Sequence, residues 1–389
     1  MNEIETSCLN VVVLFSNYGP YHISRVESFA NIFPGRVIPV QLYRKEKIRE
    51  WKPGESKIQI LTAEEMHTDK SQACELGSKL ISILEDINPD VIVIAGYGHP
   101  EMRSIARWAL KKDVVSIMLS DSHYLDKPRI WFIEKLKGWW IRKHFDAAFV
   151  SGSRAAAYLE SLGFPRKYIW LGYDVVDNEY FTCHAREVRK NESGFRGNLN
   201  FLGKYFLYVG RFSPEKNLIS LLKAYKKYRD IAGERSWKLV MVGNGPLERA
   251  LKESASKLGL NSVIWAGFKH IDDLPSYYAL ASCFILPSKS EPWGLVVNEA
   301  MASGLPVLVS ARCGCTPDLV FPGINGYVFE GNDVNELCYL MNRISSGEVN
   351  TEKMGKASSE IIANYTPEAW ARALADCITI SMQRIRNHD

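Results

Sequence analysis

Short apolar runs rich in β-branched residues alternate with longer amphipathic segments along almost the whole chain. This rhythm is typical of parallel sheets whose strands are connected by covering helices. Because 389 residues are too many for one compact core, the sequence predicts two α/β domains. Strands are predicted at 9–15, 36–42, 57–62, 91–95, 114–119 and 147–151 in the first half, and at 206–209, 238–242, 262–266, 283–286, 307–310 and 326–329 in the second.

A polar stretch at 184–204, rich in Arg, Lys, Asn, Ser and Gly, lies between the two halves. It shows no evident apolar period and is interpreted as linker. Near the end of the chain, Thr366 and Pro367 are typical of the start of a helix. The predicted organisation is an N-terminal domain at 1–173, a linker at 174–202, a C-terminal domain at 203–364 and a last helix within 365–389.

The charge and cysteine content exclude several classes of protein. A net charge of +4, from 48 basic and 44 acidic residues, is far below that of a nucleic-acid-binding protein. The first residues do not resemble a secretory signal, and the apolar runs are too short to span a membrane, so a cytoplasmic, unanchored protein is expected. The scattered cysteines predict reduced thiols, and the lone Cys-x-Cys at Cys313 and Cys315 is interpreted as small buried residues rather than a metal site.

The strongest chemical signal is a pair of carboxylates, Glu291 and Glu299, eight positions apart around a Pro-x-Gly turn. Glu291 is expected in the loop after a strand, and Glu299 on the first turns of the next helix. The start of that helix would offer unsatisfied amide donors to an anion or to sugar hydroxyls, at Gly294, Leu295 and Val296. A diphosphate-sugar has both kinds of group. The alternative is that both carboxylates are solvated surface charges.

Two cations, Arg211 and Lys216, lie five positions apart in the loop that leaves another predicted strand. Such loops face the ligand crevice at the carboxyl edge of a parallel sheet, so this pair is suited to clamping a diphosphate. A glycine turn at Gly243 also follows a strand. It differs from a dinucleotide-binding fingerprint because Glu248 replaces the third glycine, which argues against a dehydrogenase.

These segments together resemble family 4 of the retaining glycosyltransferases. Its E-x7-E, G-R-x3-E-K-N, V-G-x-G-P and E-A-M-A-x-G-x-P-V motifs match 291–299, 210–217, 242–246 and 299–307. After these motifs the sequence departs from the family pattern at two positions, where Cys315 replaces a Gly and Asp318 replaces a Glu. The resemblance implies an α/β GT-B fold, in which two Rossmann-like, doubly wound parallel-sheet domains face a cleft and the last helix packs back on the N-terminal domain.

The resemblance also implies transfer of a sugar, with retention of configuration, from a nucleoside-diphosphate-sugar donor to an acceptor hydroxyl. Cations at the diphosphate, together with the lack of any Asp-x-Asp triplet, imply a metal-independent donor site without a cofactor. The implied donor-binding residues are Gly210, Arg211, Lys216, Gly243, Phe268, Glu291, Gly294, Leu295, Val296 and Glu299. The implied catalytic residues are Arg211, Lys216, Glu291 and His123, of which His123 matches a family histidine that faces the donor sugar.

The family usually has a glycine-rich loop after its first strand, but here only Gly19 remains. Tyr21 and His22 then become candidate acceptor contacts. The alternative is a plain turn followed by a helix whose first residue is Pro20. The acceptor class stays open among glycans, lipid-linked molecules and small metabolites, and the donor base, the sugar and the oligomeric state are undetermined.

The segment 127–144 combines aromatic residues with Lys and Arg. Two interpretations remain: a helix at a membrane surface, or a core-facing helix with a solvated basic face, of which the second is favoured. Two alternatives to a transferase also stay open. They are a non-catalytic protein that binds sugar nucleotides on the same fold, and a nucleotide-sugar epimerase.

Overall fold

The computed structural model describes residues 6–45, 56–66, 73–192 and 203–386. Within these ranges the chain forms two compact units. Unit 1 takes its residues from Met1–Tyr124, Arg129–Val176 and Tyr365–Asp389, and unit 2 from Leu125–Pro128 and Asp177–Asn364. Residues 193–202 of the predicted linker lie outside the described ranges.

Unit 1 contains a parallel sheet of seven strands in the order β3-β2-β1-β4-β5-β6-β7. The strands are β1 Asn10–Phe15, β2 Arg36–Lys45, β3 Leu61–Met66, β4 Val91–Ala95, β5 Val115–Ser120, β6 Ala147–Val150 and β7 Ile169–Leu171. Its helices are Pro20–Ile32, Ala73–Ile87, Pro100–Lys111, Trp131–His144, Ser153–Ser161 and Pro367–Arg386. The apolar run of β1 is buried because hydrophobic side chains pack on both faces of this central strand.

The last helix, Pro367–Arg386, belongs to unit 1. Thr366 starts it as predicted, since its hydroxyl accepts from the Ala369 amide at 3.2 Å. Trp370 is buried with its ring edge-on to Phe29, at a centroid distance of 6.2 Å. The helix therefore completes one of the two hydrophobic cores that cover the sheet of unit 1.

Unit 2 contains a parallel sheet of six strands in the order β10-β9-β8-β11-β12-β13. The strands are β8 Tyr205–Val209, β9 Lys238–Val242, β10 Val263–Gly267, β11 Cys283–Leu286, β12 Val307–Ser310 and β13 Gly326–Phe329. Its α-helices are Asn178–Lys190, Leu218–Ala232, Glu248–Lys257, Leu274–Leu280, Leu295–Ala302, Thr316–Leu319, Val334–Ser345 and Thr351–Ile362. The two parallel α/β sheets confirm the predicted Rossmann-like fold class.

Two strand predictions in the first half need correction. The strand expected at 57–62 begins only at Leu61, which pairs with Val40, and it continues to Met66. This strand lies at the edge of the sheet and pairs with β2 only. Because an edge strand packs against fewer residues, its apolar pattern is a poorer guide to where the strand begins and ends. The short strand β7 was not predicted, because three residues give too little pattern to detect.

The polar stretch read as linker contains the end of the helix Asn178–Lys190. Asp177 caps this helix by accepting from the Tyr180 amide at 2.9 Å. Three residues at helical spacing, Phe181, Ala185 and Val188, are buried. The helical spacing of these apolar residues was not recognised in the sequence, because many charged residues lie around them.

Both sheets contain a point where the strand order reverses. In unit 1 it lies between β1 and β4, and in unit 2 between β8 and β11. At such a point the two connections leave toward opposite faces of the sheet, so a crevice opens at the carboxyl ends of the strands, where ligands bind in open α/β sheets. The loops after β8 and β11 carry the predicted cations and Glu291.

Candidate active site

The loops after β8 and β11 meet through an ion pair between Lys216 and Glu291. Both side chains are largely withdrawn from solvent, with exposed fractions of 17% and 12%. Ser288 also donates its hydroxyl hydrogen to Glu291 Oε2 at 3.1 Å. The structure therefore brings together two residues, 75 positions apart in sequence, that were predicted to bind the same ligand.

Asn217 fixes the loop after β8, a role that was not predicted. Its φ of 57° is left-handed, a conformation that Asn tolerates better than most residues. Its side-chain nitrogen, Nδ2, donates hydrogen bonds to the carbonyl oxygens of Pro287, at 3.2 Å, and Gly331, at 2.5 Å. These bonds tie the cationic loop to the ends of two other strands. The only signal in the sequence was that Asn217 closes the matched G-R-x3-E-K-N motif.

The glycines after β8 and β9 allow close packing of loop on loop. A Cβ atom on Gly243 would overlap the carbonyl group of Gly210, and Gly243 has a φ of 135°. Gly210 in turn donates its amide hydrogen to Val242 at 3.0 Å. The glycine turn thus has a structural explanation in the contact between two strand-end loops, in addition to its predicted place among the donor-binding residues.

Gly294 starts the helix Leu295–Ala302 in a left-handed conformation, with a φ of 109°. A Cβ atom there would lie 2.9 Å from Leu286 Cδ2, so the turn passes close to the end of β11. Trp293 is buried, and its indole N–H donates to Asn298 Oδ1 at 3.0 Å. The turn is therefore held rigidly, and the amides of Leu295 and Val296 lie in the first turn of the helix, at its positive end.

Glu299 lies on the same helix and is buried. The Tyr278 hydroxyl donates to Glu299 Oε2 at 2.7 Å. A buried carboxylate needs such a donor, which argues against the alternative that Glu299 is a solvated surface charge. Tyr278 was not singled out in the sequence, because it lies on a separate helix, Leu274–Leu280.

The departure at Cys315 is accommodated by the backbone. The amide of Gly314 donates to the Glu291 carbonyl at 3.0 Å, and that of Cys315 to the Trp293 carbonyl at 3.2 Å. The segment after β12 therefore supports the Glu291 turn from behind. Cys313 and Cys315 are both buried thiols, as predicted.

Arg211 and Phe268 also follow strand ends of unit 2. Arg211 is exposed, and its carbonyl accepts from the Tyr208 hydroxyl at 3.1 Å. Burial, reinforced by the carboxylates of Glu291 and Glu215, raises the pKa of Tyr208 well above its usual value, so this hydroxyl stays a neutral donor. Phe268 comes directly after β10 and is half-buried, with its ring edge-on to His270 at 5.0 Å.

His123 belongs to unit 1, in the loop after β5, and is buried. Its carbonyl accepts from Arg129 Nη2 at 2.6 Å. The Arg129 guanidinium in turn lies over the ring of Tyr158, 4.3 Å from its centroid. These contacts fix the backbone of the loop, while the role of the imidazole stays a prediction.

Tyr21 and His22 lie at the start of the helix Pro20–Ile32, whose first residue is the proline. His22 Nδ1 accepts from the Gly19 amide at 3.2 Å, and its ring stacks on Phe15 at 4.2 Å. These contacts agree with the alternative of a turn followed by a helix. Contact of Tyr21 and His22 with an acceptor stays a prediction.

The basic aromatic segment forms the helix Trp131–His144, and the interpretation that it faces the core is wrong for most of its apolar residues. The buried members of the helix are Gly138, Ile141 and His144. Trp131, Phe132, Ile133, Leu136 and Trp139 are exposed instead. Helical spacing alone could not reveal this, because these residues cover a wide arc of the helix and only packing shows which side faces inward.

A cavity of about 390 Å³ in unit 2 lies away from the predicted donor loops. It is found at the C-terminal end of the helix Leu295–Ala302, whereas the predicted anion-binding amides are at the N-terminal end. Arg189 lines it and donates to the Ala279 and Ser303 carbonyls at 2.9 and 2.6 Å. The cavity is therefore separate from the loops and amides that were predicted to bind the donor.

Two features are absent from the described ranges. No group of three or more His, Cys, Asp or Glu side chains is placed to hold a metal ion. No helix there has the length and apolar character needed to cross a bilayer. Metal independence of the donor site stays a prediction.

Comparison with known proteins gives matches of two kinds. Residues 191–379 match the family described as glycosyl transferases group 1. Among curated relatives, the sulfoquinovosyl transferase SQD2 of Arabidopsis thaliana is 32% identical over 162 residues, which cover 41% of this chain and 30% of that protein. The lipopolysaccharide 1,2-N-acetylglucosaminetransferase of Salmonella typhimurium is 28% identical over 207 residues, which cover 50% of this chain and 53% of that protein.

The fold match extends over nearly the whole chain. The crystal structure of Anabaena HepE in complex with UDP has a TM-score of 0.72 and 15% identity, covering 95% of this chain and 100% of that one. At this identity the likeness shows the GT-B fold alone. The sequence matches to curated relatives are confined to about half of this chain or less and span about a third to a half of the length of those relatives. Residues 191–379 are thus similar to the glycosyl transferases group 1 family, and the chain as a whole has a GT-B fold.

Proposed function

We propose that this chain is a retaining glycosyltransferase that moves a sugar from a nucleoside-diphosphate-sugar to an acceptor hydroxyl. The observation that carries the proposal is the Lys216–Glu291 ion pair, which joins the loops after β8 and β11 at the reversal point of the sheet. The helix that starts at Gly294 begins beside this pair. A cation, a carboxylate and a helix N-terminus suit the phosphates and hydroxyls of a single ligand.

In this proposal Arg211 and Lys216 neutralise the charge of the diphosphate. Glu291 accepts hydrogen bonds from the hydroxyls of the donor sugar, and Glu299 accepts hydrogen bonds from the ribose hydroxyls. The ion pair explains how the site stays stable without a ligand, because each largely buried charge has a partner. When a donor binds, Lys216 exchanges Glu291 for a phosphate, and Glu291 exchanges Lys216 for sugar hydroxyls. Neither charge is then left without a partner at any stage.

The proposed reaction breaks the bond between the sugar C1 and the β-phosphate oxygen, and the electron pair leaves with that oxygen. The acceptor oxygen bonds to C1 from the same face, and its proton passes to the departing phosphate. Negative charge therefore grows on the diphosphate in the transition state, where Arg211 and Lys216 would stabilise it. His123 is proposed to contact the donor sugar, and Tyr21 and His22 to lie on the acceptor side.

The names of the relatives support an acceptor in polysaccharide, lipopolysaccharide or glycolipid synthesis. The Salmonella protein is named for transfer to lipopolysaccharide, and the HepE structure contains UDP. We therefore propose a sugar-nucleotide donor, with UDP as the first base to test. We also propose a cytoplasmic location and a metal-independent donor site.

The test is thermal unfolding of the full chain with UDP, GDP, ADP and their sugar conjugates in EDTA. A ligand that binds only the native state raises the melting temperature. We expect one nucleotide series to give a clear shift, and incubation with its sugar conjugate and candidate acceptor glycans to release the nucleoside diphosphate. Binding without release of nucleotide would favour a non-catalytic protein, and a changed sugar on an intact donor would favour an epimerase. A shift that appears only without EDTA would contradict metal independence.

A further inference from the structure

The helix Trp131–His144 presents an exposed surface that combines aromatic and basic side chains. Four of its large apolar residues are more than half exposed: Trp131 at 70%, Leu136 at 67%, Trp139 at 56% and Phe132 at 52%. Half of four such side chains amounts to about 400 Å² of apolar surface. A contiguous patch of this size on one helix is characteristic of an interaction site rather than of scattered surface residues.

At 100° per residue, these four side chains and two lysines, Lys135 and Lys143, fall within a single arc of about 140°. We call these six residues the aromatic-basic face. Lys135 Nζ lies 4.9 Å from the centroid of the Trp131 ring, and Lys143 Nζ lies 5.3 Å from that of Trp139. Cations and aromatic rings are thus interleaved along the face instead of being segregated.

The buried side of the helix holds this orientation in place. A Cβ atom on Gly138 would overlap the Leu162 carbonyl, so the helix packs closely at that point. The one acidic residue of the helix, Glu134, is turned inward, where Lys137 donates to it at 2.6 Å and the Tyr158 hydroxyl also donates to it. The aromatic-basic face therefore carries positive charge without a carboxylate.

We propose that the aromatic-basic face docks on the surface of an anionic lipid bilayer. Tryptophan side chains prefer the boundary between headgroups and acyl chains, and each nearby Lys adds attraction to anionic lipid. A helix of 14 residues, about 21 Å long, would lie in the plane of the boundary. A protein partner is less suited, because interface cores are depleted of Lys, whereas here the two lysines lie among the rings.

The test is co-sedimentation of the full chain with vesicles of phosphatidylcholine alone or mixed with phosphatidylglycerol. We expect binding to the mixed vesicles. Trp131→Ser combined with Trp139→Ser should weaken it about tenfold or more, because two half-exposed rings no longer enter the boundary. Lys135→Gln combined with Lys143→Gln should reduce the preference for anionic vesicles by about fivefold per lysine.

Matched controls come from exposed residues of unit 2. Tyr339→Ser removes an aromatic ring that is also more than half exposed, and Lys252→Gln with Lys356→Gln removes the same two charges. Both controls should bind vesicles like the wild type. Failure of the wild type to bind anionic vesicles, or unchanged binding of both face variants, would overturn the proposal.

Sedimentation velocity without vesicles separates membrane docking from self-association. If the tryptophan variant abolishes a dimer of the wild type and vesicle binding is absent, the face is a protein interface and the proposal is wrong. The assay contains no nucleotide, so its outcome is independent of the proposed transfer reaction. A variant whose melting temperature matches the wild type excludes misfolding as the cause of lost binding.

Discussion

The sheets of units 1 and 2 share one strand order around their reversal points, but the loops at those points differ in chemistry. In unit 2 the loops after β8 and β11 carry an ion pair, Lys216 and Glu291. In unit 1 the loop after β1 and the start of the next helix carry the rings of Tyr18 and His22, both packed on Phe15. The comparison teaches that topology decides where a ligand can bind, whereas the residues after each strand decide what kind of ligand it is.

The largest expected effect comes from how closely other atoms pack on a glycine, which differs between the loop after β9 of unit 2 and the loop after β4 of unit 1. Gly243→Ala should lower the free energy of unfolding by about 3 kcal/mol, because a Cβ atom overlaps the Gly210 carbonyl and the φ of 135° strains an L-residue. Gly98→Ala, in the reversal-point loop of unit 1, should change it by less than about 0.5 kcal/mol, because nothing lies within 4 Å. Urea unfolding of both variants measures the contrast.

A further control separates backbone strain from steric overlap. Gly259→Ala combines a φ of 66° with open space and should cost only about 1 kcal/mol. Equal losses for Gly243→Ala and Gly259→Ala would show that the contact between the loops after β8 and β9 does not constrain the fold.

The second largest effect is expected on nucleotide binding, because the loop after β8 of unit 2 carries the cation Arg211. Arg211→Ala should weaken binding of the best nucleoside diphosphate about 10- to 100-fold, since a hydrogen bond to a charged group contributes about 1.5 to 3 kcal/mol. Arg211 is exposed, so the fold should be unaffected by this change. Titration calorimetry measures the affinity, with Lys356→Ala as a surface control.

A control in unit 1 tests where the diphosphate binds. His99→Ala, in the loop after β4, should bind the nucleotide normally. If it weakens nucleotide binding as much as Arg211→Ala, the proposal that unit 2 binds the diphosphate is wrong.

The smallest effect concerns acid stability in unit 1. Desolvation raises the pKa of Glu134, but the hydrogen bonds from Lys137 and Tyr158, with the charges of Lys137 and Arg129, outweigh it, so the net pKa lies below the ordinary value of 4.5. The stabilisation from a depressed carboxyl pKa is complete above that ordinary value and is lost as the pH falls through the folded pKa.

Glu134→Gln should therefore lower the melting temperature slightly at neutral pH and flatten its decline as the pH falls below 4.5. Thermal scans across this range measure the slope. Glu160→Gln removes an exposed partner of Arg166 and should leave the slope unchanged. Identical slopes for the wild type and Glu134→Gln would contradict the inward pairing of this carboxyl.

Some of this site could be predicted from residue spacing because the chemistry is local in sequence. Glu291, Gly294 and Glu299 lie on one strand-turn-helix segment, and a short segment with a proline, a glycine and an apolar helix folds in few ways. The strands β9, β11, β12 and β13 were predicted at their observed bounds for the same reason, since each is a short apolar run between turn residues.

Contacts between distant segments could not be predicted in this way. The pairing of Lys216 with Glu291, the bonds of Asn217 to Pro287 and Gly331, and the donation from Tyr278 to Glu299 each depend on which strands are neighbours. A single sequence contains the residues of such contacts but does not indicate their partners.

The sequence by itself determined the α/β class, the two sheets and the loops that carry charge, because periodicity and turn residues act over a few positions. Tertiary structure alone decided which side of the helix Trp131–His144 faces solvent and which loops meet at the reversal point. The physical reason is that burial and strand adjacency depend on packing between segments that are far apart in the chain. The summed free energy of many such contacts outweighs the local conformational preference of any one residue.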